Sequence, residues 1–253
     1  MATEFISEND LATWKRDGFL VVRGIYNEAA MADILAWVEE IQNWPETAGA
    51  HMMYFEENRQ DSSQRLLNRV ENFVPYHSGM ANLFDADLRS ACSRLFEEDA
   101  ILFKENINFK LPGGGGFEAH QDAQAGWETY APYYITATVI VDRATEENGC
   151  LELAKWNHRH ALVGDLWKPL GGDQLSGIEF VSCPGEPGDV LFFDSYLPHQ
   201  SAPNGTSDPR RLLYVTYNRA SDGDHRAQYY ADKRASYPPD IERKQCEEYA
   251  YRV

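Results

Sequence analysis

The sequence has no closely spaced pair of cysteines. Cys92, Cys150, Cys183 and Cys246 are widely scattered, with no C-x-x-C among them. Two disulfides are arithmetically open, but reduced and mostly buried thiols are the expectation. Basic residues are scarce: 23 against 40 acidic ones give a net charge of −17. Nucleic acid and anionic membranes are therefore repelled on average, although a local cationic pocket stays compatible with that charge. No apolar run approaches the ~20 residues that span a bilayer. The N-terminus lacks a basic segment followed by an apolar one, so a cytoplasmic location is expected by default. There is no internal repeat, low-complexity tract or interdomain linker, which leaves one domain over 1–253, a length that all-β barrels reach. The four glycines Gly113 to Gly116 are not followed by Lys-Ser/Thr, so they are no phosphate-binding P-loop but a flexible hairpin connection ahead of His120. Oligomeric state leaves no mark on the sequence.

What is present describes a folded enzyme domain. An apolar fraction of 43%, of which much is aromatic, argues against disorder. Helical signals come first. Ser7 with Asp10 forms a capping-box variant for a short helix bearing Leu11 and Trp14 and ended by Gly18, and Phe19 to Val22 then reads as a strand. Met31, Ile34, Leu35, Val38 and Ile41 recur at helical spacing until Pro45, and Leu88, Ala91, Cys92, Leu95 and Phe96 repeat the pattern. From Ile101 the period shortens. Strands are predicted over Leu102 to Lys110, Tyr134 to Val141, Cys150 to Ala154, Ile178 to Ser182, Val190 to Phe193 and Leu212 to Tyr217. Many short strands without intervening helices point to a mainly β jelly roll or barrel with flanking helices. The polar stretch from Gly49 to Gly79 reads as a long loop over the active-site mouth.

The chemistry concentrates in His120-Gln121-Asp122 and in His199, 77 residues later. Residues two apart on a strand share a face, so His120 and Asp122 can reach one metal while Gln121 turns away. His199 follows the apolar run Val190 to Phe193 and the turn-like Leu197-Pro198. Two imidazoles and one carboxylate, with no thiolate, suit iron(II) and leave three adjacent coordination positions open. Alone, an H-x-D pair is a common surface accident. Joined to a distal histidine and to Arg210 and Arg211 just beyond it, the pattern gains a cation able to pair bidentately with the distal carboxylate of 2-oxoglutarate.

Four segments, Ala119 to Asp122, Glu147 to Glu152, Pro184 to Asp189 and His199 to Asn204, resemble the phytanoyl-CoA dioxygenase family of Fe(II)/2-oxoglutarate oxygenases. The resemblance runs from about Leu11 to Arg234. Phe103 to Lys110 and Tyr217 to Arg234 are similar to the bacterial organophosphonate dioxygenases of the 2-aminoethylphosphonate type. This resemblance implies a double-stranded β-helix, a cupin-like jelly roll, with iron held by His120, Asp122 and His199. It implies 2-oxoglutarate bound by the arginine eleven residues after the distal histidine, Arg210, with Ser201 or Thr216 as hydroxyl partners. Arg211 competes for that role, but strand neighbours face opposite ways, and the parity of Leu212, Tyr214 and Thr216 favours Arg210 inward and Arg211 toward solvent. With iron, 2-oxoglutarate and O2, the implied reaction hydroxylates a small-molecule C–H bond and releases succinate. A retained Asp122 disfavours halogenation, in which a halide takes the carboxylate's position.

Other residues have both a functional and an ordinary reading. Lys104, Asn106, Asn108 and Lys110 alternate with apolar neighbours, as a solvent-facing stripe would. In a barrel leading to a metal, Lys104 and Asn106 instead become contacts for co-substrate or an anionic substrate group, and Lys110 is expected to be exposed. Gln124 and Trp127 are candidates for touching substrate. For Trp127, an apolar or cation-binding wall competes equally with core packing. The roles of Tyr130, Tyr133 and Tyr134 are not separable. His158, His160 and Asp165 suggest a second metal site, but no third ligand is apparent and structural or surface roles are preferred. The leading functional reading is a hydroxylase of a small organophosphonate at the carbon next to phosphorus. A hydroxylase of an amino acid, osmolyte or secondary metabolite is the alternative, and a noncatalytic cupin-like binding protein is the reading from another class.

Overall fold

A computed structural model describes residues 5–156, 160–244 and 249. The N-terminal third builds a helical wall. Helix α1 (Glu8–Asp17) starts at the reciprocal Ser7–Asp10 capping box and stops at Gly18, whose φ of 78° is left-handed and whose N–H closes on the Trp14 carbonyl. Strand β1 (Phe19–Val22) and helix α2 (Glu28–Gln42) follow, with Asn27 as N-cap and Met31, Ile34, Val38 and Ile41 turned into the core. The segment read as a loop from Gly49 onward is instead largely regular: β2 (Met52–Glu57) and β3 (Arg65–Glu71) pair antiparallel, and α3 (Ser78–Leu83) follows. Its polar side chains disguised it, because they face a cavity and a rim rather than bulk solvent alone. Helix α4 (Arg89–Phe96) completes the wall.

The remaining strands are β4 (Ala100–Lys110), β5 (Phe117–His120), β6 (Tyr134–Ile140), β7 (Leu151–Ala154), β8 (Phe180–Cys183), β9 (Val190–Asp194), β10 (His199–Ser201) and β11 (Arg210–Arg219). They form two antiparallel sheets, in the orders β1-β9-β6-β11-β4-β3-β2 and β5-β10-β7-β8. Helix α5 (Arg226–Ser236), which the sequence did not signal, leans on β4.

Alternation within the large sheet assigns its two faces. Ile107 and Phe109 of β4, Ile135, Ala137 and Val139 of β6, and Leu213, Val215 and Tyr217 of β11 join Trp14, Ile34, Val38 and Phe84 in one core against the helices. On the other face, Ile140, Leu191, Phe193 and Leu212 meet Leu151, Leu153 and Cys183 of the small sheet. Toward the other end of that inner face the side chains become polar, and the sheets separate around a cavity. A bulge marks the change: Thr216 pairs with Lys104 and Tyr217 with Leu102, so Phe103 is extra and turns into an aromatic cluster with Trp127, Tyr134 and Tyr229. Cys92, Cys150 and Cys183 are buried and free, and Cys246 lies outside the described residues. Among the described residues no helix is long and apolar enough to cross a membrane.

Candidate active site

Pairing of β5 with β10 brings the two histidines together, since His120 and His199 are register partners. Their ring centroids lie 4.3 Å apart. Asp122 does not continue the strand, as the H-x-D spacing suggested, but opens a 3₁₀ turn (Asp122–Ala125) that brings its carboxylate back, 3.8 Å from His199 Nε2. One donor atom from each of the three residues lies within 4.8 Å of the others, the separation expected of ligands sharing one ion. Each imidazole is oriented from behind: His120 Nδ1 donates to the Glu118 carbonyl at 2.7 Å and His199 Nδ1 to the Leu197 carbonyl at 2.9 Å. That leaves both Nε2 lone pairs facing the cavity. Burial and the neighbouring His199 push the His120 imidazole down to about 3, so it is neutral and able to ligate. Thr136 Oγ1 donates to Asp122 at 3.3 Å and contacts Thr216 Oγ1 at 3.0 Å. The donor set is nitrogen and oxygen only, which fits ferrous iron.

The inner face of β11 carries Arg210, Tyr214 and Thr216 beside Lys110, Asn106 and Lys104 of β4. Arg210 is fully buried, and among the described residues its three guanidinium nitrogens have no well-formed hydrogen bond, with the Tyr214 hydroxyl alone close by. The Tyr214 hydroxyl is near enough to favour its charge, but burial dominates and lowers its pKa. A buried, unsatisfied guanidinium is costly unless a carboxylate completes it. Arg211 does not face solvent as expected. Only 8% exposed, it is held by Asp142 through Nε at 2.7 Å and Nη2 at 2.8 Å, so the adjacent position is a structural ion pair. Lys110 is not exposed either. Its ammonium donates to Ser201 Oγ at 2.8 Å and to the carbonyls of Gly149 and Ala202, and burial pushes its pKa down to about 6.

A cavity of about 290 Å³ opens beside the three ligands. Of the residues singled out in the sequence, Lys104, Asn106, Trp127, Ser201 and Thr216 line it. Trp127 serves both readings: it walls the cavity while packing edge-on to Phe103, and Lys104 Nζ lies 5.1 Å from its ring centre. Gln124 is a correction. It is fully buried and does not line the cavity; its Nε2 donates to the carbonyls of Asp165 and Lys168, and its Oε1 accepts from the Gln121 N–H at 2.8 Å, so it braces the loop after Asp122. His158 lies outside the described residues. His160 packs on Tyr133 and Tyr196, and Asp165 pairs with Lys168.

Sequence reasoning missed Arg69, Glu71, Lys233 and Asp232. β3 pairs with β4 so that Glu71 sits opposite Asn106 and Arg69 opposite Asn108, on the cavity side. Glu71 is fully buried and receives both of its oxygens' contacts from Lys233 Nζ at 2.7 Å, with Arg69 Nη1 at 3.2 Å. Burial alone would raise its pKa, yet Lys233, Lys104 and Arg69 overcome that and hold it down at about 2. Tyr130 donates to Asp232 at 2.7 Å on the rim. The one available signal was the stretch Tyr217 to Arg234, which contains Lys233 and Asp232 and was read only as part of a resemblance.

The phytanoyl-CoA dioxygenase family model matches residues 14–212. The chain is 38% identical to a 2-aminoethylphosphonate dioxygenase from the uncultured bacterium HF130_AEPn_1, covering 97% of this chain and 94% of that one. It is 39% identical to a methylphosphonate hydroxylase of Gimesia maris, over 92% and 88% of the two chains. Its fold is similar to the crystal structure of EctD from S. alaskensis with 2-oxoglutarate and 5-hydroxyectoine, at a TM-score of 0.73 and 22% identity, covering 88% of this chain and 79% of that chain. A cavity beside a candidate iron triad, and relatedness running along nearly its whole length, make this chain a member of the phytanoyl-CoA dioxygenase family, the Fe(II)- and 2-oxoglutarate-dependent oxygenases.

Proposed function

We propose that this chain hydroxylates a small organophosphonate, such as 2-aminoethylphosphonate or its N-trimethyl form, at the carbon next to phosphorus. In this reading residues 1–253 are one cytoplasmic domain, and the two facing sheets are a double-stranded β-helix. The observation that carries the substrate class is the buried polar face of β4, where Lys104 and Asn106 enter a cavity beside the candidate triad in a chain of net charge −17. The names of its two relatives near two-fifths identity agree with that chemistry.

His120, Asp122 and His199 would hold the iron, each offering one donor atom to the shared site. Bound iron and 2-oxoglutarate supply the oxygen activation, in which the co-substrate loses carbon dioxide to become succinate while one oxygen atom enters the substrate C–H bond. Arg210 takes the distal carboxylate of 2-oxoglutarate; its unsatisfied nitrogens supply the bidentate donors. Ser201 borders that end of the cavity with its hydroxyl fixed by Lys110, whereas Thr216, six residues along β11 and opposite Lys104, contacts Thr136 beside Asp122. Lys104 and Asn106 meet the anionic end of the substrate through charge-assisted hydrogen bonds. Trp127 walls the cavity and, with Phe103, keeps water from the reacting carbon.

Substrate-dependent succinate release from iron-loaded protein, measured over a panel of phosphonates, amino acids and osmolytes, tests this reading. Release with 2-aminoethylphosphonate or its trimethyl form is expected. Release only with an amino acid or osmolyte would overturn the phosphonate assignment and keep the oxygenase.

A further inference from the structure

Helix α5 turns one face to the cavity. Tyr229, Asp232, Lys233 and Ser236 recur at intervals of three and four, and all of them line it. That face is fixed near both of its ends: Arg226 donates to Glu105 at 2.9 Å, and Lys233 Nζ donates to both oxygens of Glu71 at 2.7 Å. Lys233 is thereby committed to a buried carboxylate, whereas the carboxylate of Asp232 has only neutral donors. Asp232 Oδ2 accepts from the Tyr130 hydroxyl at 2.7 Å, and its Oδ1 accepts from Gln228 Nε2 at 2.7 Å. Among the described residues no cationic side chain is in ion-pair contact with it. An ionised carboxylate accepts more than two hydrogen bonds, so acceptor capacity remains. Burial and the Asp232 charge raise the pKa of the Tyr130 phenol, which keeps it protonated and donating.

The rings beside Asp232 give the wall a direction. Tyr130 and Tyr229 meet edge to face with centroids 5.8 Å apart, and Lys104 Nζ lies 5.9 Å from the Tyr229 ring centre and 5.1 Å from that of Trp127. From Lys104 through Tyr229 and Tyr130 to Asp232, the wall therefore runs from a cation across two rings to a carboxylate. That polarity complements a zwitterion. Resting on the phosphonate reading above, we infer that Asp232, held by Tyr130, accepts hydrogen bonds from a protonated primary amine on the substrate, and that it makes the cavity select aminophosphonates over plain alkylphosphonates and over N-trimethyl forms. A quaternary ammonium has no N–H to give a carboxylate and depends on aromatic faces, and here Lys104 already sits against those of Trp127 and Tyr229. An alkylphosphonate leaves Asp232 to water. Because Asp232 is exposed at the cavity mouth, solvent screening holds its contribution to about tenfold in affinity, below the loss that follows when a buried charge is stranded.

Calorimetric titration reads this preference without turnover. The protein is loaded with nickel(II) in place of iron and with 2-oxoglutarate, then titrated with 2-aminoethylphosphonate, its N-trimethyl form, ethylphosphonate and ethanolamine. The wild type should bind 2-aminoethylphosphonate about tenfold more tightly than ethylphosphonate or the trimethyl form. Asp232→Asn should weaken the primary amine alone and bring the three phosphonates within about twofold of one another, with Asp232→Glu restoring part of the preference. Raising the salt concentration should erode the wild-type preference and leave Asp232→Asn unmoved, a response that a packing defect would not produce. Phosphonate binding with no preference for the primary amine in the wild type, or with the full preference kept in Asp232→Asn, overturns the amine acceptor and leaves the phosphonate reading intact. Ethanolamine binding that Asp232→Asn abolishes, in a wild type that binds no phosphonate, keeps the acceptor and overturns the phosphonate reading. No binding of any of the four compounds by the wild type overturns both.

Discussion

Each candidate ligand has a distinct supporting contact, so the substitutions have distinct signatures. His120→Ala, Asp122→Ala and His199→Ala each remove one of three donors, and each should abolish turnover with a parallel loss of bound iron measured by elemental analysis. Near-normal iron content in any one of them would remove that residue from the set. The adjacent arginines separate binding from stability. Arg210→Ala should raise the 2-oxoglutarate requirement steeply, on the order of 3–5 kcal/mol if the carboxylate is left buried without its partner. Arg211→Ala strands Asp142 in a half-buried site, so it should lower the unfolding free energy by about 1–3 kcal/mol while co-substrate titration stays near normal. Thermal unfolding and 2-oxoglutarate titration, run on both variants, read the two effects independently.

The elements that were legible in the sequence are those with an apolar face. β6 and β9 read as runs of β-branched and aromatic residues because both of their faces are buried, one against the helices and one against the small sheet. β2, β3 and α5 were not legible, since Glu56, Arg69, Glu71 and Lys233 occupy positions that a solvent-facing loop or a polar helix would also show. Inward parity put Arg210 and Arg211 on opposite faces of β11, but parity gives no distance. It could not reveal that Lys110 folds back onto Ser201 or that Gln124 spends its amide on backbone carbonyls. Gly149 tests how tightly these contacts fix β10. Its φ is 74°, and an added Cβ would stand 2.0 Å from the Ala202 carbonyl oxygen and 2.8 Å from Lys110 Nζ. Gly149→Ala should cost about 1–3 kcal/mol in stability and displace Ala202, three residues from His199. The expected outcome is a lowered melting temperature together with weaker iron binding; loss of stability with unchanged iron affinity would show that β10 tolerates the shift.

Across the whole molecule, acid stability follows from where the charges lie. Most of the described acidic residues are on the surface, and a surface carboxylate with no strong partner has nearly the same pKa folded as unfolded, so it adds little pH dependence. Glu71 is different, because it is fully buried among cations and held at about 2 against an ordinary value of 4.5. A carboxyl with a depressed folded pKa contributes stability that is present above its unfolded pKa and is lost as pH falls through the folded one. Stability from this group should therefore be complete above pH 4.5 and decline between 4.5 and about 2. Glu71→Gln removes that titration. Its unfolding free energy, followed by denaturant titration from pH 6 downward, should start lower than the wild type's, since Lys233 and Arg69 then lose the buried carboxylate they donate to, and should fall less steeply in acid by about one proton per molecule. Parallel curves for the two proteins would mean that the acid sensitivity resides in the surface carboxylates and that Glu71 contributes no differential charge energy to the fold.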